Sequence, residues 1–199
     1  MNLLRTAATY ERGVWVSLFR WVLRRPDPAG PGARFGYSAT MMPVLLAFIG
    51  VSIVEIPILH FLLPWQTVRI VVFVVSVWGL LWMVGLLGAV RVHPHLVTAY
   101  GLRVRSGFTV DAFVPWSAIA EIRGRNRPLE KSKGVQFEET ATGGLIGKVV
   151  VLGQTNVEVV LSAPAEVGLP RGPLTELHFW ADDAPALVAA AKANLVSVG

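Results

Sequence analysis

The sequence predicts a two-helix transmembrane hairpin followed by a mostly-β domain with a C-terminal helix. Three observations predict it. Of 199 residues, 53% are hydrophobic and only 16% charged, against about 25% charged in ordinary soluble domains. Two apolar runs of spanning length lie back to back between Met42 and Val90. After Arg91 the long runs give way to alternation with a period of two, the signature of strands with one buried face.

The first run, Met42–Leu63, and the second, Ile70–Val90, each approach or exceed the ~20 apolar residues a spanning helix needs. The linker "PWQTVR" between them allows only a tight antiparallel hairpin, and Trp65 in it suits the membrane interface. Net charge is +5, and its distribution carries the information. Residues 1–40 hold six Arg against Glu11 and Asp27 (+4), residues 41–91 hold Arg69 and Arg91 against Glu55 (+1), and residues 92–199 hold ten bases against ten acids (0). A nucleic-acid-binding domain concentrates its excess on the folded part; here the excess flanks the apolar runs, so no nucleic-acid partner is expected. Basic residues before the first span and after the second place both termini in the cytoplasm. Fourteen Arg against four Lys point to a GC-rich bacterial genome, and hence to a two-pass protein of the bacterial inner (plasma) membrane.

Residues 1–25 read as a basic amphipathic helix. At about 100° per residue, Leu4, Ala7, Ala8, Val14, Trp15, Leu18 and Val22 gather on one side and Arg5, Arg12, Arg20 and Arg24 on the other. The pattern fits a helix lying in the inner interface, anchored by Trp15 and Trp21, with anionic head groups as its partners. The alternative is packing on the soluble domain. Residues 26–40, "PDPAGPGARFGYSAT", read as a Pro/Gly linker.

The cytoplasmic part, residues 92–199, opens with a hairpin: Leu102 and Val104 face one way, Arg103 and Arg105 the other, and Phe108, Val110, Ala112 and Val114 resume the alternation beyond a "SG" turn. Further strands are expected over 117–123, 135–140, 148–152, 157–162 and 175–180. The chain closes with "DDAPALVAAAKANLVSV", in which Asp182 or Asp183 caps a helix and Pro185 sits in its first turn. The stretches "GLRVRSGFTVDAFVPWSAIAEI" and "FWADDAPALVAAAKANL" resemble bacterial pleckstrin-homology-like (PH-like) domains anchored by paired transmembrane helices. The resemblance covers roughly residues 40–199. It implies a seven-stranded barrel with a C-terminal helix and a membrane-anchored binding or assembly module, and it carries over no catalytic residue.

Five stretches invite a site reading. Glu55 in "VEIPILH" lies near mid-depth of the first span, where an ionised carboxylate costs several kcal/mol unless it is protonated or paired. Folding the hairpin brings it level with Ser76, Val77, Trp78 and Gly79, so the Ser76 hydroxyl or the Trp78 indole is an expected partner. A packing hydrogen bond, docking onto another membrane protein, and a proton or cation path are the three readings. Pro57 should kink the helix, and His60 lies off the Glu55 face. Gly85 and Ala89 form a small-xxx-small pair suited to dimerisation or partner packing. "RGRNRPLEKSK" offers Arg123, Arg125, Arg127, Lys131 and Lys133 as a clamp for anionic lipid or an acidic partner. "TATGGLIGKV" fails as a phosphate-binding loop, since Val149 follows Gly147-Lys148. "HPH" at 93–95 reads as a turn beside the membrane, not a metal set.

With no cysteine, disulfides, thiolate chemistry and cysteine metal sites are excluded. No Ser–His–Asp set can be assembled around His178, and no catalytic residue, metal or cofactor is expected. The expected role is a non-catalytic scaffold, accessory or regulatory subunit of a membrane complex, with another membrane protein or a second copy as partner. An anionic-lipid sensor, and a subunit contributing Glu55 to a proton or cation path, are the alternatives.

Overall fold

A computed structural model describes residues 3–25, 30–132, 134–141 and 143–198, with side chains between positions 7 and 196. The chain divides into a helical unit, comprising the described residues before 26 and Met41–Val92, and a β unit comprising residues 30–40 and the described residues from His93 onward.

The helical unit contains α1 (Leu3–Val22), α2 (Met42–Leu62) and α3 (Gln66–Val92). Both α2 and α3 are long and apolar enough to span a membrane, with mean hydropathies of 2.3 and 2.6 over their most apolar stretches. Pro43 lies in the first turn of α2, where its missing N–H costs nothing. The helix then runs through Pro57 without a break. The turn is shorter than its sequence suggests: Arg69 N–H bonds the Trp65 carbonyl, so α3 already begins at Gln66. At the other end of the hairpin the Arg91 guanidinium reaches Met42 Sδ at 3.8 Å and lies 5.8 Å from the Trp21 ring centroid, gathering all three helices.

The β unit holds nine strands among the described residues. They are β1 (Ala33–Phe35), β2 (His95–Val97), β3 (Gly101–Ser106), β4 (Val110–Pro115), β5 (Ile119–Pro128), β6 (Val135–Glu139), β7 (Leu145–Val149), β8 (Gln154–Ala165) and β9 (Leu174–Phe179). Helix α4 (Ala184–Val198) follows. Asp183 caps it, accepting from Ala186 N–H at 3.0 Å. The strands do not form the expected seven-stranded barrel. They form two open sheets, ordered β1-β2-β3-β4 and β5-β8-β9-β7-β6. Strand β9 enters between β8 and β7, antiparallel to the first and parallel to the second. Alternation tells which face of a strand is buried, not which strand lies beside it.

Two strands lie where the sequence reads a linker and a turn. Strand β1 has only three residues among Gly and Pro, yet its register on β2 is complete from Ala33–Val97 to Phe35–His95. Strand β2 is buried along its whole length and so shows no alternation. His95 explains why "HPH" is structural. Its Nε2 lies 2.8 Å from the Trp180 carbonyl, its Nδ1 accepts from Arg105 N–H at 3.0 Å, and its ring packs between Tyr37 and Phe179. A proton is thus needed on Nε2 and refused on Nδ1. Burial, against the opposing Trp180 bond, pushes this imidazole down to about 4. Tyr37, buried beside it, is pushed up to about 12. Its hydroxyl accepts from Gly107 N–H, and Asp182 ties the same segment down by accepting from Ala39 N–H. Gly36 leaves room for this contact, because a Cβ would stand 2.7 Å from Asp182 Oδ2 and push that carboxylate aside. The core between the sheets and α4 is apolar, centred on Leu102, Val104, Val159, Leu177, Phe179 and Leu187.

Candidate functional site

The basic stretch 123–133 is best read from the strand that carries it. Arg123 on β5 pairs in register with Glu158 on β8, Glu158 with His178 on β9, His178 with Lys148 on β7, and Lys148 with Gln136 on β6. One polar row therefore crosses all five strands on the face opposite the core. Glu158 is fully buried and accepts from Arg123 Nε at 2.8 Å and from Arg127 Nε. Burial would raise this carboxyl, but the two guanidinium hydrogen bonds outweigh it and hold it below its usual value. Lys148 is paired with Glu138, and His178 Nε2 lies 2.8 Å from Glu176 Oε2. Burial lowers the His178 ring over the opposing pull of Glu176 and Glu158. Its Nδ1 is buried with no hydrogen-bond partner.

The three alternating arginines thus separate. Arg123 and Arg127 are engaged by Glu158, whereas Arg125 and Lys131 stand exposed; Lys133 lies outside the described residues. The interior Glu158 was the missed signal, a single charge inside the apolar "VEVVL" of β8. Among the described residues, no three His, Asp or Glu side chains gather so as to hold a metal ion.

The second candidate lies between α2 and α3. Ser52, Glu55 and Ile56 from α2 and Ser76, Gly79 and Trp82 from α3 line a crevice of about 380 Å³. Ser52 and Glu55 are three residues apart and share a face of α2, as Ser76 and Gly79 do on α3. Among the described residues, no hydrogen bond or ion pair reaches the Glu55 carboxyl, from Ser76 or any other group. Trp78 is turned elsewhere. It lines an apolar crevice of about 430 Å³ with Trp15, Phe73, Val74, Val77 and Leu81. His60 packs edge-on against Phe73, 5.7 Å between centroids.

Helix α1 alters the reading of the small residues. Val14, Ser17 and Leu18 are buried, and their neighbours on α3 are Gly85 and Gly88. Tyr10 meets Trp82, Val14 meets Gly85, Ser17 meets Gly88, and Trp21 meets Gly88 and Arg91, so the two helices run in the same direction. A Cβ on Gly85 would come within 2.5 Å of Val14 Cγ1. Gly85 and Ala89, expected to serve a second copy or a partner, are buried within this chain and lie on the stretch of α3 that receives α1. Of the apolar stripe of α1, expected to face lipid, Val14 and Leu18 are buried against α3, where glycine lets two backbones approach closely, whereas Ala7, Ala8 and Val22 stay exposed. Arg12 and Arg24 remain exposed, Arg20, Trp15 and Trp21 are half-buried, and the Arg5 side chain lies outside the described residues. The Trp15 indole donates to Glu11 at 2.9 Å.

No protein-family model, curated protein or solved structure matches this chain.

Proposed function

We propose that this protein is a membrane-anchored, non-catalytic assembly module. In this reading α2 and α3 cross a bacterial inner membrane as a hairpin with both termini in the cytoplasm. The β unit, a PH-like module by the resemblance of its opening hairpin and closing helix, stands on the cytoplasmic side. The observation that carries the reading is the Glu55 carboxyl, which lines a mostly apolar crevice between two apolar helices and has no hydrogen bond or ion pair among the described residues. An ionisable group at that depth is costly alone and is stabilised by a neighbour. The charged groups of the sheet face, by contrast, close on one another. Engagement of Arg123 and Arg127 by Glu158 takes two of the five basic side chains of this stretch away from lipid head groups, which favours assembly over lipid sensing.

The test is isolation of the tagged full chain from the cells that make it, in nanodiscs, followed by native mass spectrometry. The expected result is a complex of fixed stoichiometry heavier than the 21.6 kDa chain that contains a second membrane protein. Recovery of the chain by itself, with only anionic lipid bound, overturns the reading.

A further inference from the structure

Resting on that reading, we infer that the α2–α3 crevice is the docking groove for a transmembrane helix of a different protein, one carrying a lysine or arginine at the depth of Glu55. Charge complementarity is the first argument. Glu55 lies thirteen residues after Met42 and seven before Leu62, some 10 Å along the helix from its nearer end at ~1.5 Å per residue. An aqueous counterion is remote at that depth, and a carboxylate is satisfied there by a cationic side chain delivered on another helix. The Ser52 and Ser76 hydroxyls line the same crevice. They are the acceptors an ammonium or guanidinium needs for its remaining N–H groups.

Space is the second argument. A Cβ built on Gly79, in the wall of the crevice, meets nothing within 4 Å. Gly85 and Gly88, farther along α3, are already covered by α1. The same helix therefore shows both states of a close-approach surface, one filled by this chain and one open. A helix that packed at Gly79 would exploit backbone proximity as α1 does at Gly85.

A second copy of this chain fits less well. A two-fold interface through this groove would bring two Glu55 carboxyls to the same depth. The chain's own nearby cations do not answer them: Arg91 is held on Met42 and Trp21 at the end of the hairpin, and Arg69 lies in the first turn of α3.

The probe is a synthetic Leu/Ala helix of about 22 residues with one central lysine, compared with the same helix bearing leucine there. Binding to the full-length chain in liposomes is read by energy transfer between labels. The lysine helix is expected to bind about tenfold tighter than the leucine helix, as one interhelical charge-assisted bond allows. The preference is expected to vanish in Glu55→Gln, and both helices to bind more weakly in Gly79→Leu, which fills open space. Equal binding of the two helices to the wild-type chain overturns the inference, as does a preference that survives Glu55→Gln. A native complex of fixed stoichiometry found together with equal peptide binding overturns the groove alone and leaves the assembly reading standing. A chain isolated without a protein partner overturns the assembly reading itself.

Discussion

Two glutamates, Glu55 and Glu158, sit among apolar neighbours in the two units and meet opposite fates. Glu158 is buried on β8 and takes hydrogen bonds from Arg123 and Arg127 of β5. Glu55 lines a crevice between α2 and α3 and takes none from the described residues. The glycines of α3 repeat the contrast, with Gly85 and Gly88 closed under α1 and Gly79 open. What the difference teaches is where the chain's own interactions end. A charge whose partners lie one strand away is part of the fold; a carboxyl with no partner among the described residues, beside open glycine, is where we propose that another helix docks.

The glycine contrast gives the largest expected effect. Gly85→Leu drives a side chain into Val14 and should release α1, at a cost of about 3 kcal/mol of packing, whereas Gly79→Leu should leave α1 in place. Because the chain has no cysteine, spin labels on cysteines introduced at Tyr10 and Trp82, whose rings meet across the two helices, report docking by their separation. Equal label separations in the two glycine variants would break the comparison.

Acid should act on the β unit with a definite sign. The folded His95 ring is depressed to about 4 from 6.5, so the neutral ring's contribution is fully present above pH 6.5 and lost as pH falls toward 4. At about 1.36 kcal/mol per pH unit the loss reaches roughly 3 kcal/mol. His178, lowered by its burial, adds in the same direction. Urea unfolding of the full chain followed by near-ultraviolet circular dichroism between pH 7 and 4 measures it, and a flat profile would contradict the hydrogen-bond roles assigned to His95.

The glutamate pair sharpens the comparison directly. Glu158→Gln should destabilise the β unit by about 2 kcal/mol. The buried acceptor loses its charge, and the loss is moderated because Arg123 and Arg127 are partly exposed. Glu55→Gln should change the stability of the isolated chain by less than about 0.5 kcal/mol. Thermal melts of both variants in the same detergent decide this, and equal losses would erase the distinction.

The smallest effect tests the turn before β8. Leu152 and Gly153 both have positive φ, 46° and 76°, in a two-residue turn closed by the Val151–Gln154 bridge. A turn of that hand favours Asn-Gly, so Leu152→Asn should raise stability by about 0.5–1 kcal/mol. A lowered melting temperature would mean that the exposed leucine makes contacts of its own.

Much of the architecture was legible in particular residues. The runs from Met42 and Ile70 announced α2 and α3, and "DDAP" announced the start of α4. The alternation from Leu102 to Val114 announced the β3–β4 hairpin, and the five later strands lie at or close to their expected places. The level of Glu55 with Ser76 and Gly79 followed from folding the hairpin on its short turn. What was not legible depended on pairing. The pairing of Arg123 and Arg127 was hidden because Glu158 is more than thirty residues away and only the β5–β8 register brings it to them. Gly85 and Ala89 looked like a dimer surface because nothing local tells which helix covers a small residue. The open sheets in place of a barrel have the same origin, since β9 lies between β8 and β7 only in space.

The sequence by itself determined the periodic and the local: two helices of spanning length and apolar character, strands with one polar and one apolar face, caps and turns. Hydropathy period and backbone preference act within a few residues, so they can be read along the chain. Only the tertiary structure decided the neighbours: α1 on Gly85 and Gly88, Glu158 between two arginines, His95 locked between Trp180 and Arg105, and Glu55 without a partner among the described residues. Those outcomes depend on which groups, distant in sequence, share a few cubic ångströms, and a one-dimensional pattern does not carry that information.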